Sequence, residues 1–330
     1  MEAVSFRRIP PPPVRPGEGL LVRSENSALL RRLHPAWGPC LDFVYSDPPF
    51  FSGTTRRASG GGEGSFPDRW PGGLDAYLAW LRERFVLLRD LLRDTGTFLV
   101  HLDHRAVHYV RVELDRIFGR DHFLNEVIWH YTGGGRSRSY FSRKHDNLLW
   151  YRKGKTWTFR IDAVRVPYRP TSGYARSGIV SARGKRYLPH PDGTPADDVW
   201  DIPIVNPLAG ERTGYPTQKP VALLDRIVRG CTAPGDRVGD FFGGSGTTAV
   251  AACRLGRRWI LCDESAAAFA TAARRLRSMS LGRLVREPGG GTGNSVLRFL
   301  PWDANRRAGV PGRRVARPVP DPSRPPSEAG

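Results

Sequence analysis

The chain has 330 residues, with 37 glycines and 29 prolines, which is above ordinary usage but short of a low-complexity composition. Its 51 Lys and Arg against 32 Asp and Glu give a formal net charge of +19, which disfavours an acidic or neutral small-molecule domain and favours a polyanionic partner. No apolar run approaches the roughly 18 residues of a membrane span, and the start MEAVSFRRIPPPP lacks the apolar core of a signal peptide, so a cytoplasmic protein without membrane contact is expected.

The charge is uneven. Between His130 and His190 fourteen basic residues face only Asp146 and Asp162, and Arg136, Arg138, Arg143 and Lys144 open that block. It is the expected nucleic-acid surface. From Leu281 to Gly330 nine Arg stand against four acids in a Pro- and Gly-rich context, which predicts a basic, disordered tail. Cys40, Cys231, Cys253 and Cys262 show no paired spacing, so they read as buried fillers and no metal or disulfide framework is expected.

Taken along the chain, residues 1–19 form a Pro-rich leader. Leu41 to Tyr45 is a short apolar strand, stopped by Asp47-Pro48-Pro49-Phe50 because Pro48 cannot donate to a ladder and restricts the residue before it. Phe51 to Gly73 reads as a mobile loop. Leu74 to Arg93 carries apolar residues at helical spacing, Thr97 to Leu102 is a buried strand, and Arg105 to Phe118 is a helix with Asp103 placed to cap it. Two aromatic strands, Asn125 to Tyr131 and Asn147 to Arg152, flank the basic link from Gly133 to His145. Their Trp129, Tyr131, Trp150 and Tyr151 read as core more than as contacts. Lys153 to Arg212 has little periodicity. A helix at Val221 to Gly230, a strand at Arg237 to Phe241, a helix at Thr248 to Leu255, a strand at Trp259 to Cys262 and a helix at Ala266 to Leu276 follow. Strands alternating with helices predict an α/β fold: a doubly wound, mainly parallel sheet with both faces covered.

Two strand ends carry chemistry. Asp240-Phe241-Phe242-Gly243-Gly244-Ser245-Gly246-Thr247-Thr248 joins a strand to a helix, so a ligand can approach the backbone and meet free N–H groups. No Lys follows the last glycine, as a P-loop requires, and Thr247 stands where a nucleophile elbow needs Gly. Asp263 follows Gly244 by 19 residues, at the end of the next strand, where an acid can accept ribose hydroxyls. At the other strand end, the Asp47 carboxylate and the Pro48 carbonyl can bind both N–H bonds of an aromatic amine. That favours a tetrahedral nitrogen whose lone pair can attack an electrophilic carbon. Phe50 offers a flat apolar face to a base. His104 and His108 are four apart on a helix but have no evident third metal ligand.

DPPF at 47–50, Thr217-Gln218-Lys219-Pro220 and DFFGGSGTT at 240–248, in that order, resemble the beta class of S-adenosylmethionine-dependent DNA amino-methyltransferases, whose catalytic motif precedes the cofactor motif. The resemblance spans roughly residues 20–277. It implies a Rossmann-like fold with a catalytic half at 20–152, a target-recognition insertion at 153–212, a cofactor half at 213–280 and a tail at 281–330. It also implies S-adenosylmethionine over Asp240, Phe242, Gly244, Ser245 and Thr247, with Asp263 on the ribose. Ser24-Glu25-Asn26 aligns with a family stretch whose acid lies near the cofactor, which adds Glu25. Lys219 is expected at the cofactor carboxylate. Asp47, Pro48, Pro49 and Phe50 are the expected catalytic motif, and Arg136, Arg138, Arg143 and Lys144 the expected contacts to double-stranded DNA.

The Asp-Pro-Pro form is associated in that family mainly with adenine-N6, so methyl transfer to a flipped adenine is the leading expectation. Cytosine-N4 is the alternative. Further off lie an RNA or protein methyltransferase and a non-catalytic DNA-binding relative. A restriction endonuclease partner and a homodimer are both compatible with the resemblance.

Overall fold

The computed structural model describes residues 9–57, 65–133, 135–287 and 295–302. In chain order the elements are β1 (Gly19–Arg23), α1 (Asn26–Trp37), β2 (Leu41–Ser46), β3 (Thr54–Arg57), β4 (Ser65–Asp68), α2 (Gly73–Leu91), β5 (Leu92–Leu102), α3 (Val107–Phe118), β6 (Phe123–His130) and β7 (His145–Arg152). There follow β8 (Arg165–Val166), α4 (Gly173–Ser177), β9 (Ile179–Val180), β10 (Arg186–Tyr187), β11 (Thr194–Pro195) and β12 (Val199–Asp201). The chain then forms α5 (Val221–Cys231), β13 (Arg237–Asp240), α6 (Thr247–Arg254), β14 (Arg258–Asp263), α7 (Ala266–Ser278), β15 (Gly282–Arg286) and β16 (Ser295–Pro301).

Ten strands form one sheet in the order β12-β6-β7-β5-β2-β13-β14-β1-β16-β15. The centre, from β5 through β2, β13 and β14 to β1, is parallel, while β7 and β16 run against their neighbours. Alternation along each central strand divides its side chains between two cores. Leu20 and Val22, Val44, Phe98 and Val100, and Ile260 face α1, α2 and α3. Leu21, Phe43 and Tyr45, Leu99, and Trp259 and Leu261 face α5, α6 and α7. The predicted doubly wound α/β architecture is what the chain adopts. Burial on both faces explains why these strands read as continuous apolar runs. The four cysteines are free and buried, and among the described residues no helix is long and apolar enough to cross a membrane.

Several expectations need correction. The segment Phe51–Gly73, expected to be irregular, contains the antiparallel pair β3 and β4; residues 58–64 lie outside the described residues. Its buried Asp68 ties it down by accepting the N–H groups of Phe51 and Ser52 and the indole N–H of Trp70. The expected disordered tail begins with two strands, because β16 pairs antiparallel with β1 and places Phe299, wholly buried, beside Trp259. The apolar run of Val296, Leu297, Phe299 and Leu300 was the signal, masked by the Arg and Gly richness around it. Residues 303–330 lie outside the described residues. The leader is also partly built in: the carbonyls of Pro11 and Pro13 accept from Arg298 and Arg237. Asp103 holds the N–H of Arg105 in the turn before α3 and does not cap the helix itself, whose N-cap is Ala106. Within the expected 153–212 insertion, β12 joins the main sheet beside β6.

Candidate active site

β13 lies between β2 and β14 in the sheet, with Tyr45 in register with Asp240. The crossover from β2 through α2 leads to one side of this pair, and that from β13 through α6 leads to the other. The boundary between β2 and β13 is therefore a topological switch point, where a crevice opens outside the strand ends. Residues 47–50 and 240–248, about 190 positions apart in the chain, are brought together there.

The DPPF turn is held by its backbone. Tyr77 donates its phenol O–H to the Pro49 carbonyl at 2.7 Å, and Phe51, at φ 59°, is pinned by Asp68. A non-glycine residue in this left-handed region persists only where the surroundings enforce it. Among the described residues nothing donates to the Pro48 carbonyl. The Phe50 ring lies 5.6 Å from the His101 ring.

Lys219 is placed differently from its expected role. Its ammonium donates to the Asp47 carboxylate and lies 5.2 Å over the Phe50 ring, while its backbone carbonyl accepts the Thr247 hydroxyl at 3.0 Å. Residues 217–220 thus bridge the two strand ends.

The glycine turn has an inner and an outer face. Gly244 (φ 48°) and Gly246 (φ 81°) adopt left-handed conformations, and a Cβ on Gly246 would meet Ala272 Cβ at 2.8 Å. Turned inward are Asp240, Ser245 and Thr247. Asp240 accepts the Phe242 N–H and the Thr248 hydroxyl, and burial pushes its carboxyl up to about 7. Ser245 and Thr247 accept from the Arg275 guanidinium at 3.2 and 2.8 Å. Their side chains shape the turn, leaving its backbone and the N-terminus of α6, which no side chain caps, toward the crevice. Asp263 accepts the N–H groups of Gly244 and Ser265, and burial pushes it up to about 6. Phe242 is half-buried, its ring 5.8 Å from that of Trp80. Glu25 caps α1 through the Ala28 N–H and pairs with Arg84 at 2.6 Å, so its carboxylate is already engaged.

Behind Asp47 lies a buried network around His101, a residue that no motif marks. His101 is wholly buried, with Nδ1 2.8 Å from the Tyr45 hydroxyl and 4.0 Å from the Asp47 carboxylate, and Nε2 3.0 Å from Asp146. Burial drives the Tyr45 phenol far above its ordinary value, so Tyr45 keeps its proton. Asp146, held ionised, can only accept, so His101 Nε2 donates to it while Nδ1 meets the Tyr45 hydroxyl. Burial pushes Asp146 up, yet His101, Lys219 and the Tyr131 hydroxyl together hold it below the ordinary carboxylate range. A histidine inside the apolar strand Thr97-Phe98-Leu99-Val100-His101-Leu102 was the available signal.

Tyr131 and Asp146 also line a cavity of about 440 Å³, whose other walls include Asp103, Arg105, Arg136, Ser137, Tyr140 and Arg143. Of the four predicted DNA contacts, Arg136, Arg138 and Arg143 are exposed. Lys144 is instead turned onto the carbonyls of Gly133 and Gly135.

A sequence model of DNA methylases matches residues 41–274, which takes in the DPPF turn, the glycine turn and the strands that carry them. The chain belongs to the DNA methylase family. The type II methyltransferase M.EcaI of Enterobacter cloacae is 29% identical over 310 residues, covering 76% of this chain and 68% of that protein. The DNA adenine methyltransferase YhdJ of Escherichia coli (strain K12) is 27% identical over 238 residues, covering 72% of this chain and 76% of that protein. Among solved structures, the cytosine-N4-specific PvuII DNA methyltransferase superposes with a TM-score of 0.57 at 18% identity, covering 82% of this methylase and 90% of that chain. The M1.HpyAVI–SAM complex superposes with a TM-score of 0.52 at 20% identity, covering 78% and 98%. Both share the fold.

Proposed function

We propose that this methylase transfers a methyl group from S-adenosylmethionine to the N6 amine of an adenine extruded from duplex DNA. The observation that carries the reading is the juxtaposition of Asp47 and Phe50 with the glycine turn across the β2–β13 switch point. The Asp-Pro-Pro form and the likeness to a DNA adenine methyltransferase favour adenine over cytosine.

The crevice fits the methyl donor. The left-handed glycines bring bare backbone to its edge, the uncapped α6 offers N–H groups, Phe242 and Trp80 offer apolar faces, and Asp263 keeps lone pairs free for the ribose hydroxyls. When bound, S-adenosylmethionine supplies an electrophilic methyl group on a sulfonium.

Phe50 stacks on the extruded base and sets its plane. The Asp47 carboxylate and the Pro48 carbonyl accept the two amine N–H bonds and draw the nitrogen lone pair out of conjugation with the ring. With the donor bound, the nitrogen would take the methyl carbon and the C–S electron pair would leave on sulfur. Asp47, still hydrogen-bonded to the amine, is the nearest acceptor for the proton the nitrogen sheds. Asp146 and Tyr45 fix the His101 ring against the Phe50 face and beside Asp47, and so position both. Residues 153–212 read the sequence around the base, while Arg136, Arg138 and Arg143 hold phosphates.

The test is methylation of DNA with labelled cofactor, followed by digestion to nucleosides. Label in N6-methyladenine is expected, and label confined to N4-methylcytosine would replace the adenine assignment with the cytosine one. Asp47→Ala should bind cofactor normally and lose transfer. Near-normal turnover would overturn the assignment of Asp47.

A further inference from the structure

We infer that Phe141 is the wedge that enters the duplex and fills the stack when the target base leaves it. The inference rests on the reading of the protein as a base-extruding DNA methylase.

Phe141 is 99% exposed, although a phenyl ring is the kind of side chain whose burial ordinarily contributes most to a core. It sits in the link between β6 and β7, and that link is folded without help from the ring. The Ser137 hydroxyl accepts the N–H groups of Ser139 and Tyr140, both at 3.2 Å, and the Ser142 hydroxyl accepts the Ser137 N–H at 3.0 Å. Lys144 clamps the base of the link through two glycine carbonyls, and Arg143 stacks over Tyr140 at 4.6 Å. A turn built from serine bonds and a lysine clamp therefore holds Phe141 out into water.

Its position gives that exposure a use. The inner side of the link, through Arg136, Ser137, Tyr140, Ser142 and Arg143, walls the 440 Å³ cavity whose floor includes Tyr131 and Asp146. Asp146 is one histidine away from Asp47. Arg136, Arg138 and Arg143, all exposed, flank Phe141 in the same link, so a duplex drawn onto that link meets the ring. An extruded base leaves an unstacked gap, and an apolar side chain inserted there recovers part of the lost stacking. An aromatic ring on a cationic loop beside the base's destination meets that requirement.

The experiment uses the full chain and two duplexes, both carrying the sequence that wild-type protein methylates in unmethylated genomic DNA. In one the target base is paired; in the other an abasic residue stands opposite it, so extrusion costs little. On the paired duplex Phe141→Ala should lower kcat/KM on the order of 10- to 100-fold while Phe141→Trp keeps most activity; on the abasic duplex the loss should shrink to within about threefold. Because the ring is almost wholly exposed, both variants should melt like wild type. An equal loss on both duplexes would make Phe141 a groove contact and overturn the wedge, as would no loss on either. A wild-type protein that methylated no DNA at all would overturn the methylase reading and the wedge together, an outcome separate from any effect of Phe141.

Discussion

His101 Nε2 lies 3.0 Å from the Asp146 carboxylate, 45 residues further along the chain. The pair is buried directly behind the Asp47 turn, with the Tyr45 hydroxyl on the ring's other nitrogen. Replacing His101 by Ala leaves the Tyr45 hydroxyl and Asp146 Oδ2 without their partner, while Tyr131 keeps its bond to Asp146 Oδ1. We expect about 1–3 kcal/mol of lost stability, read by urea unfolding, from the unsatisfied groups. His101→Gln, which fills more of the space, should fold better and still lower kcat with little change in cofactor affinity. A kcat equal to wild type would limit His101 to a structural role.

Cofactor affinity should depend on Asp263. Burial raises its carboxyl to about 6, and only the ionised form presents lone pairs alone to the ribose hydroxyls. Calorimetric affinity for S-adenosylmethionine should therefore weaken as pH falls through about 6 and hold steady above it. Asp263→Asn should bind weakly with a flat profile across that window. An Asn variant that kept the acid-side fall would place the titration elsewhere.

Asp240 affects stability with the opposite sign from an ion-paired acid. Its folded value of about 7 exceeds its unfolded value of 3.8, so the native state binds more protons between them. Its contribution therefore declines as pH rises through that window. Asp240→Asn should flatten the decline in the melting temperature between about pH 4 and pH 7. An unchanged slope would show that another group carries it.

Gly246→Ala should damage the turn twice, through its left-handed φ and through the approach of the new Cβ to Ala272. The expected cost is about 1–3 kcal/mol in unfolding free energy, together with weakened cofactor binding. Wild-type values for both would show that the turn tolerates a side chain there.

Phe299→Ala tests the tail strand. The ring is wholly buried beside Trp259, and removing it should cost about 3–5 kcal/mol. A loss below about 1 kcal/mol would mean that β16 is peripheral to the fold.

Much of the fold was legible along the chain. The helices at 221–231 and 266–278 and the strands at 41–46 and 258–263 announce themselves through apolar spacing, and the turns after 41–46 and 221–231 through proline and glycine. β1 and α1 were passed over because Gly19 to Trp37 mixes apolar residues with Arg and Pro. The strand at 295–301 was hidden by its basic surroundings. Among the site residues, Ser245 and Thr247 are letters of a motif, but their inward orientation depends on Arg275, 30 residues from Ser245 in the chain.

Order and identity of local motifs were thus determined by neighbouring residues: a strand, a breaker and a turn are each a matter of a few adjacent side chains. Partnerships across the sheet were not. Lys219 reaches Asp47 across 172 residues, and Asp146 reaches His101 because β5 and β7 pair. Those contacts arise from strand order and packing on both faces, which set distances that no local pattern encodes. The net charge pointed to a polyanion from the outset. The folded link between β6 and β7 divided that charge, turning Lys144 onto two glycine carbonyls as a clamp and leaving three arginines exposed in the same link as one exposed phenyl ring.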